Sequence, residues 1–498
     1  MICIPIIANN LDDALRDMDE ASKVADIIEV RLDYLKNPDL KCILERRTKP
    51  VIITNRPVRE GGRFDGSEED RIAVLQLAIR LHADYVDIEH DSIHNLWRDT
   101  AHRVPANKTK IIVSYHNFCE TPDNLISLYQ RLSQSDADII KIVTYANTIT
   151  DNVKICRLLR QTSGQMISFC MGEYGMISRI LYKRFGSYLT FASLRKGKES
   201  APGQVSIQDF LATYQAQRQD KDTEIYGLIG NPVSHSISPL IHNTLFREMN
   251  FNKIYVPFQV DNIGDFIRIF RELDVQGYSV TIPHKESVIP HLDAIDPLAK
   301  KIGAVNTIVN KGGRLTGFNT DCQAAMQALE ETQQATGTGT GNDPFMGRHV
   351  TLLGAGGAAR AIAFGLRERG AHVTIVNRNH ERAQALARDV GCLSGEFGDL
   401  QEIKTDILIH ATPVGMFPAV NETPVDKDQL TPNMVVFDTI YNPLETRLLR
   451  EAKAQGCKTA GGLPMFVNQA AAQFELWTGV KPSRALIEDI VSKKFPGG

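Results

Sequence analysis

The sequence predicts an α/β protein in which an eight-stranded barrel precedes a second α/β region. Short apolar runs alternate with amphipathic stretches through residues 1–217, the pattern of a parallel sheet with crossover helices. A polar segment without apolar periodicity, AQRQDKDTE, begins at Ala216, and a new strand and helix alternation follows it. The 498 residues are too many for one compact core and suggest about three domains at roughly 150 residues each. We therefore predict domains at 1–217, at 222–322 together with 465–498, and at 323–464.

Eight strand-like runs predict the barrel: Ile2–Ile7, Ile27–Arg31, Val51–Thr54, Tyr85–Glu89, Lys110–Tyr115, Ile139–Val143, Gln165–Cys170 and Tyr188–Ala192. Eight strand and helix units in about 220 residues fit a (β/α)8 TIM barrel, whose functional residues lie at the C-terminal ends of the strands. Polar residues close or nearly close successive runs: Glu29, Arg31, Arg56, Glu89, His116 and Lys141. We therefore expect a site at this end of the barrel.

Composition gives no indication of a nucleic acid or a membrane as a partner of this chain. Lys and Arg total 56 against 59 for Asp and Glu, and the net charge of -3 favours neither nucleic acid nor an anionic membrane. No apolar run approaches the roughly 20 residues that span a bilayer, and no His, Cys and Asp cluster has metal-ligand spacing. Eight widely spaced cysteines predict reduced thiols and a cytoplasmic location. An organellar stroma after removal of a transit peptide stays open, as does the oligomeric state, a monomer included.

Lys141 stands in an apolar strand, IIKIV. An ammonium there is costly unless it is paired or its pKa falls, and a lowered pKa suits a lysine that forms an imine. Taken singly, Lys141 is more often an ion-pair partner and His116 a hydrogen-bonded core imidazole. The charged residues at the other strand ends are, taken singly, an ordinary layer of barrel-mouth salt bridges. Only in combination do these residues indicate catalysis.

In combination, residues 1–215 resemble type I 3-dehydroquinate dehydratase, through EVRLD, NRPVREGG, VDIEH, SYHNF, IIKIV, MGEYGMISR and SAPGQ in this order. The resemblance implies that Lys141 forms an imine with the substrate ketone. It implies that His116 removes the adjacent proton and later protonates the leaving hydroxyl, with Glu89 fixing its tautomer and orientation. Arg179 would hold the substrate carboxylate. The other substrate-binding residues that it implies are Glu29, Arg31, Arg56, Glu60, Met171, Ser200 and Gln204.

A Gly-rich turn, GAGGAA, begins at Gly354 between a predicted strand, His349–Leu353, and a helix, the context of a dinucleotide-binding, Rossmann-like domain. A turn without a cofactor is the alternative. The next strand ends in Asn377 and Arg378, with Arg382 one turn on, instead of the acidic residue that would take an NAD ribose. Since arginines accept a 2′-phosphate, NADP is favoured over a merely solvated basic helix start. The predicted cofactor contacts are Gly354, Ala355, Gly356, Gly357, Ala358, Asn377, Arg378, Arg382, Thr412 and Gly462.

From about Tyr226 to the C-terminus the chain resembles shikimate dehydrogenase, through SHSISP, TIPHK, GAVNT, GFNTD, HATPVGM, DTIYNPLET and GGLPMFVNQA. Found singly, such residues are helix caps and turn residues. The resemblance implies that Lys285 and Asp321 form the acid-base pair that moves the hydroxyl proton as hydride passes to or from the nicotinamide. The substrate-binding residues that it implies are Ser236, Ser238, Thr281, Asn306, Tyr441 and Gln469. His410 departs from the family's usual Asn, without removing an assigned role. Ahead of the turn, Gln333–Pro344 is predicted to be a flexible surface loop.

Together the two resemblances imply a bifunctional enzyme of the shikimate pathway. It would dehydrate 3-dehydroquinate and reduce the resulting 3-dehydroshikimate to shikimate with NADP(H). One alternative is a metabolite-sensing regulator, since fungal quinate-pathway repressors resemble both enzyme families. The presence of all four catalytic residue types and the lack of an added basic DNA-binding motif argue against it. A second alternative is a dehydrogenase half that prefers quinate or NAD.

Overall fold

The structure, a computed structural model, describes residues 1–96, 108–234, 236–335 and 343–495. The chain divides into two compact units, residues 1–226 with 246–274, and residues 227–245 with 275–498. Three sheets, of eight, six and six strands, are formed by the described residues. The predicted α/β class is confirmed. Among the helices of these ranges, none combines the length and the apolar character needed to cross a bilayer.

Eight parallel strands form the nearly closed barrel of the first unit, in the order β7-β6-β5-β4-β3-β2-β1-β8. They are β1 (Ile2–Ile6), β2 (Ile27–Arg31), β3 (Val51–Thr54), β4 (Tyr85–Glu89), β5 (Lys110–His116), β6 (Ile139–Tyr145), β7 (Met166–Met171) and β8 (Thr190–Phe191). Just before β8, the Tyr188 N–H donates to the Met166 carbonyl at 2.7 Å, which brings the two ends of the sheet together. All eight predicted strands are present, and β8 is shorter than predicted.

Helices follow the barrel strands in the crossover positions. They are α1 (Leu11–Ala21), α2 (Leu40–Glu45), α3 (Glu68–Arg80), α4 (Ile93–Leu96), α5 (Leu125–Leu132), α6 (Asp151–Gln161), α7 (Met176–Ile180), α8 (Tyr182–Phe185) and α9 (Ile207–Ala212). Side-chain caps begin several of them. Asn10 accepts the Asp13 N–H at the start of α1, and Ser67 accepts the Asp70 N–H at the start of α3. Each cap satisfies a backbone donor that has no partner within its helix.

Inward-facing side chains fill the barrel in layers. The layer near the N-terminal ends of the strands is apolar and includes Cys3, Ile27, Ile52, Tyr85, Ile112, Ile139 and Ile167. Because side chains alternate between the two faces of a strand, residues two positions further along point inward as well. Those positions carry Glu29, Asp87, Ser114 and Lys141. The apolar layer therefore supports a buried polar layer, toward the C-terminal ends of the strands.

The second sheet has the order β10-β9-β11-β13-β14-β12. Its strands are β9 (Glu224–Gly230), β10 (Lys253–Gln259), β11 (Gly277–Val280), β12 (Ala294–Ile295), β13 (Thr307–Lys311) and β14 (Arg314–Phe318). The helices of this part are α10 (Ser238–Glu248), α11 (Ile263–Phe270), α12 (His284–Ser287), α13 (Pro297–Ile302) and α14 (Asp321–Ala335). Since α14 extends to Ala335, the first three residues of the predicted loop Gln333–Pro344 are helical. Residues 336–342 of that loop lie outside the described residues.

The third sheet is parallel throughout, in the order β17-β16-β15-β18-β19-β20. Its strands are β15 (His349–Leu353), β16 (His372–Val376), β17 (Leu393–Gly395), β18 (Ile407–His410), β19 (Val435–Asp438) and β20 (Lys458–Ala460). The helices are α15 (Gly357–Glu368), α16 (His380–Val390), α17 (Arg447–Ala454), α18 (Leu463–Thr478) and α19 (Arg484–Lys494). The chain reverses its direction of travel across the sheet between β15 and β18, as in the Rossmann fold, where ligands bind at this point.

Candidate active sites

The strand ends and loops at the C-terminal side of the barrel surround a cavity. Ten of the residues singled out from the sequence line it: Glu29, Arg31, Arg56, Glu60, His116, Lys141, Met171, Arg179, Ser200 and Gln204. Three aromatic rings complete much of the apolar lining: Phe118, Phe169 and Phe191. The barrel thus brings cations, carboxylates, an imidazole and apolar walls into one enclosed space, as small-molecule sites require.

Lys141 lies in the middle of β6, buried, with its ammonium group inside the polar layer. Its Nζ donates to Asp87 Oδ2 at 2.8 Å and lies 3.9 Å from Glu29 Oε1. The ring of Phe191 lies 4.7 Å from the same nitrogen. A carboxylate pair and an aromatic face therefore offset the cost of burying this charge.

His116 and Glu60 form a hydrogen-bonded pair at the rim of the cavity. Glu60 Oε2 lies 2.9 Å from His116 Nδ1 and accepts the backbone N–H of the same residue at 3.1 Å. Burial, together with the nearby cations Arg56 and Lys141, lowers the pKa of His116 well below its ordinary value. Burial raises the pKa of Glu60 to about 7. With Nδ1 directed at Glu60, His116 can present Nε2 as a base.

Glu89 does not contact His116, and its predicted role is wrong. It lies on β4, where one carboxylate oxygen binds Arg56 and the other binds Arg71, both at 2.5 Å. Arg71 is fully buried, and its guanidinium group also donates hydrogen bonds to Glu68 and to the Asn55 carbonyl. Glu89 is therefore held beneath the cavity by two arginines, while Glu60, from the loop after β3, takes the position beside His116.

Arg179 is a buried cation without an acidic partner in the described part of the chain. Its Nε makes no hydrogen bond, and its Nη2 reaches only the Pro202 carbonyl, at 3.5 Å. Burial lowers its pKa to about 9. Arg31, by contrast, is already paired with Asp33 by two hydrogen bonds, at 2.8 and 2.7 Å. Of these two guanidinium groups, Arg179 is the one that remains available for an anionic ligand.

Ser200 and Gln204 belong to one loop that packs on the loop after β7. Gln204 Oε1 accepts the Ser200 N–H at 2.8 Å, and Gln204 Nε2 donates to Ser200 Oγ at 3.2 Å. Gly203 adopts φ +74, and a Cβ there would lie 2.1 Å from the Gly172 carbonyl oxygen, so only glycine fits. This close approach fixes Ser200 and Gln204 at the edge of the cavity.

Asp87 is a site residue that the sequence reading missed. Its side chain is buried, and it accepts hydrogen bonds from Lys141 Nζ, Arg56 Nη2 and Ser114 Oγ. The signal was available in the sequence. Asp87 stands two residues before Glu89 in the same strand, and the alternation of side chains puts both on the inward face. The last polar residue of the strand, Glu89, is not the one that contacts Lys141.

The second site centres on Lys285 and Asp321. Lys285 Nζ donates to Asp321 Oδ2 at 2.5 Å, and Asn306 Nδ2 donates to Asp321 Oδ1 at 2.9 Å. Asn306 is fixed in turn, because its Oδ1 accepts from the Thr320 backbone and from Thr307 Oγ1. Lys285 comes from α12, Asp321 begins α14, and Asn306 stands just before β13. Three separate elements thus present a paired ammonium and carboxylate.

The Gly-rich turn lies against this pair. Gly354 adopts φ +122, and a Cβ there would lie 2.7 Å from the Ala411 carbonyl oxygen. A Cβ on Gly357 would lie 2.9 Å from Lys285 Cδ. The turn opens α15, whose first N–H groups are free to bind phosphate oxygens. A dinucleotide bound at this turn would therefore lie beside Lys285.

Arg378 and Arg382 follow β16 and are exposed, and neither makes a salt bridge within the described ranges. Asn379 caps α16 by accepting the Arg382 N–H at 3.0 Å, and Asn377 Nδ2 donates to the Asn379 carbonyl. The cap fixes the backbone of this segment and leaves both guanidinium groups free. A 2′-phosphate fits this pair of cations, which an unphosphorylated ribose would not need.

The other predicted residues of the second half are held in different ways. Ser236 and Ser238 lie at the start of α10, where Ser236 Oγ accepts the Ser238 N–H, and no hydrogen bond in the described part joins them to the Lys285 pair. The Tyr441 ring stacks on Phe466 with centroids 4.0 Å apart. The Gln469 carbonyl accepts from Thr320 Oγ1 at 3.5 Å, next to Asp321. A Cβ on Gly230 would lie 2.4 Å from Thr281 Cγ2, and a Cβ on Gly462 would lie 2.2 Å from the Thr439 carbonyl oxygen.

Thr412 is fixed by a buried chain that the sequence did not indicate. Its Oγ1 lies 2.5 Å from His410 Nε2, and His410 Nδ1 lies 3.1 Å from Asp438 Oδ1. Asp438 also accepts from Thr446 Oγ1 and from the Ile440 N–H. The unusual residue of this motif, His410, thereby links β18 to β19 and holds the loop that packs on Gly354.

Four family models match the chain. The model of type I 3-dehydroquinase matches residues 2–221, and the shikimate dehydrogenase substrate binding domain matches residues 228–308. The shikimate / quinate 5-dehydrogenase model matches residues 340–438, and the shikimate 5′-dehydrogenase C-terminal domain matches residues 462–491.

Individual relatives cover one or both halves. A bifunctional 3-dehydroquinate dehydratase/shikimate dehydrogenase of Arabidopsis thaliana, named as chloroplastic, is 42% identical over 99% of this chain and 84% of its own length. A shikimate dehydrogenase (NADP(+)) of Bacillus cereus is 41% identical over 55% of this chain and 99% of its own length. A solved shikimate dehydrogenase in complex with NADP+ is 39% identical, with a TM-score of 0.52, over 56% of this chain and 98% of its own.

Proposed function

Because the chain belongs to the family of bifunctional 3-dehydroquinate dehydratase/shikimate dehydrogenases, we propose that it catalyses two consecutive steps. The barrel dehydrates 3-dehydroquinate to 3-dehydroshikimate, and the second half reduces this product to shikimate with NADPH. The observation that carries the proposal is that each half has its own lysine-centred site: Lys141 lines one cavity with the His116 and Glu60 pair, and Lys285 pairs with Asp321. The product of the first reaction is the substrate of the second.

In the barrel, the Lys141 ammonium passes a proton to the ketone oxygen of the substrate as its nitrogen attacks the carbonyl carbon. Loss of that oxygen as water leaves a protonated imine, which withdraws electrons from the neighbouring carbon. His116 removes the proton from that carbon through Nε2 and returns it to the departing hydroxyl. Glu60, 2.9 Å from Nδ1, holds the imidazole in the tautomer that leaves Nε2 unprotonated. Arg179, which has unused donors and a buried position, holds the substrate carboxylate.

The pH dependence of dehydration should report the ionisation of Glu60. Its raised pKa of about 7 means that the carboxyl is protonated below that pH and ionised above it, whereas His116 is already neutral there. Only the ionised carboxylate accepts the hydrogen bond from Nδ1–H without offering a proton of its own. We therefore expect kcat/KM for 3-dehydroquinate to rise with pH through about 7. In Glu60→Gln this rise should vanish, and kcat should fall by about 10²-fold.

Glu69→Gln, which changes an exposed carboxylate on α3, is the matched control and should keep the wild-type profile. Steady-state rates of 3-dehydroshikimate formation across the pH range measure both variants. An unchanged acid limb in Glu60→Gln would show that another group controls the tautomer of His116.

In the second half, Lys285 and Asp321 form the acid-base pair that transfers the proton of the substrate hydroxyl as the carbonyl and the alcohol interconvert. Asn306 keeps Asp321 directed at Lys285. The residues that would hold NADP(H) fit that group: the Gly354 turn and the start of α15 take the pyrophosphate, and the free arginines take the 2′-phosphate. The nicotinamide supplies or accepts the hydride when the cofactor is bound.

Cofactor choice should depend on the two exposed arginines after β16. In Arg378→Ala and in Arg382→Ala, we expect the KM for NADPH to rise by about 10- to 100-fold, since each loses a charge-assisted bond to the 2′-phosphate. The KM for NADH should change little. Arg388→Ala, an exposed arginine near the other end of α16, is the control. Equal losses with NADPH and NADH would contradict a 2′-phosphate contact.

The proposal extends to domain limits and location. We place the dehydratase at residues 1–217, the shikimate-binding domain at 222–322 with 465–498, and the NADP domain at 323–464, supported by the three separate sheets.

We propose a cytoplasmic or organellar location, the second supported by a plant relative that is named as chloroplastic. The partners are the small-molecule substrates of the two steps.

Separate assays of the two halves test the proposed function. The full chain should form 3-dehydroshikimate from 3-dehydroquinate without added cofactor, and it should reduce NADP+ with shikimate. Quinate and NAD+ in parallel reactions measure the preferences of the second half. Absence of the first activity, or faster oxidation of quinate than of shikimate, would overturn the corresponding assignment.

A further inference from the structure

Beneath the imine-forming lysine lies a closed array of buried charges. Asp87 is at its centre: Oδ2 accepts from Lys141 Nζ at 2.8 Å, and Oδ1 accepts from Arg56 Nη2 and from Ser114 Oγ, both at 2.7 Å. The Asp87 side chain has no exposed surface. Although burial alone would raise its pKa, Arg56 and Lys141 hold the pKa of Asp87 below its ordinary value. Asp87 is thus a permanent anion in contact with the reactive nitrogen.

The charges of this array balance only when that nitrogen is positive. Its buried carboxylates are Asp87 and Glu29, and its buried cations are Arg56 and Lys141. These two negative and two positive groups cancel, while Arg71 matches Glu89 and is bound by Glu68 as well. A neutral nitrogen on Lys141 would leave one carboxylate uncompensated in the barrel interior, which is strongly unfavourable.

Formation of the imine keeps this balance. The ammonium of Lys141 and the ketone give a protonated imine and one molecule of water: the carbon–nitrogen bond forms, the ketone oxygen leaves with two protons from nitrogen, and the positive charge stays on nitrogen. An imine is a weaker base than the amine from which it forms. Without a nearby anion, it would lose its remaining proton to solvent and cease to withdraw electrons.

We propose that Asp87 is the counter-ion of the imine, a positioning residue that keeps the Lys141 nitrogen protonated after it has joined the substrate. The inference rests on the proposed imine chemistry of the barrel. Asp87 is suited to the role and Glu29 is not, because Glu29 Oε1 lies 3.9 Å from Nζ and accepts from Thr54 Oγ1. Of the other ionisable groups in this layer, Cys3 from β1 and His116 from β5 interact electrostatically with Lys141. Arg56, from the loop after β3, contacts Asp87, Glu89 of β4 contacts Arg56, and Arg31 of β2 interacts with His116.

Trapping with sodium cyanoborohydride tests the proposal, because this reagent reduces protonated imines in preference to neutral ones. The full chain is incubated with 3-dehydroquinate and the reagent between about pH 6 and about pH 9, and the adduct at Lys141 is quantified by peptide mass mapping. In Asp87→Asn, adduct formation relative to wild type should fall at least about tenfold across this range, and kcat for dehydration should fall by about 10²-fold at neutral pH.

Glu89→Gln is the matched control, since it removes a buried carboxylate of the same strand that binds Arg56 but not Lys141. Its adduct yield should keep the pH dependence of the wild type. Wild-type trapping in Asp87→Asn at every pH would overturn the proposal, and so would an equal loss in Glu89→Gln. Shikimate oxidation by the second half reports whether each variant has folded.

Wild-type protein provides an independent arm if Asp87→Asn does not fold. Its trapping rate, corrected for the reagent alone, should stay within about twofold between about pH 7 and about pH 9, because the counter-ion holds the proton. A steep decline over that range would overturn the proposal. No adduct at any pH would instead remove the imine mechanism itself, which distinguishes failure of the proposed function from failure of the counter-ion.

Discussion

Replacing Lys141 by alanine should reduce dehydration of 3-dehydroquinate on the order of 10⁴-fold or more, because the covalent step loses its nucleophile. The oxidation of shikimate should be unchanged, since Lys285 and Asp321 make their contacts within the other unit. Steady-state rates of both reactions on the same preparation measure the effect. The contrast between the two activities is the informative quantity, because a general loss of folding would lower both.

Lys154→Ala is the matched control for this variant. Lys154 lies on α6 of the same barrel and pairs with Asp123 and Asp151 near the surface, so both activities should survive its loss. Sodium borohydride added with 3-dehydroquinate should attach a stable mass to Lys141 in the wild type and in this control. An unlabelled Lys141 in an active enzyme would exclude the imine.

Replacing Lys285 by alanine or Asp321 by asparagine should slow shikimate oxidation by about 10²- to 10⁴-fold while leaving dehydration intact. The loss should appear mainly in kcat, because the pair moves a proton in the transition state and the other ring contacts still bind shikimate. In Asp321→Asn the amide also meets the Asn306 amide that now donates to Oδ1, which disturbs the geometry further.

The control for the second site is Lys301→Ala. Lys301 lies on α13, is exposed and pairs with Glu368, so its loss should change neither activity. A rise in KM alone for the Lys285 and Asp321 variants would assign the pair to binding and not to proton transfer. Loss of both activities together would show that the two halves depend on each other for folding.

The barrel could be predicted from the sequence because its strands carry dense, regular signals. Runs such as Val51–Thr54 and Tyr85–Glu89 were predicted with the bounds observed, since apolar and β-branched residues fill them and polar residues end them. The last strand, β8, has two residues in the structure and five in the prediction. Tyr188 lies in a bend, and Ala192 makes a single backbone bond to another strand, to the Cys3 carbonyl. The length of a strand depends on its pairing with the neighbouring strand, which a run of apolar residues does not show.

Contacts between particular charged side chains were harder to predict. The resemblance places Glu89 beside His116, whereas in the structure Glu60 holds that position and Glu89 binds two arginines. Strand periodicity tells which residues face inward, but not how far a loop such as that of Glu60 folds back over the barrel. The contact of Asp87 with Lys141 follows from the relative register of β4, β5 and β6, and one sequence does not give that register.

The second half shows the same division. The turn at Gly354 and the helix after it follow from glycines between a strand and a helix, and the structure has both. The chain from Asp438 through His410 to Thr412 was not predicted, because its members stand on two strands and a loop. The segment between β18 and β19 separates Asp438 from His410 and Thr412, so no periodic pattern links these residues in the sequence.

Feeding the full chain 3-dehydroquinate and NADPH and following shikimate tests most directly whether both sites act in sequence. The wild type should release shikimate, and neither Lys141→Ala nor Lys285→Ala alone should do so. A mixture of these two variants should restore shikimate formation, because one supplies 3-dehydroshikimate and the other reduces it. Accumulation of 3-dehydroshikimate without shikimate in the wild type, or failure of two folded variants to complement, would contradict two independent sites that catalyse consecutive steps.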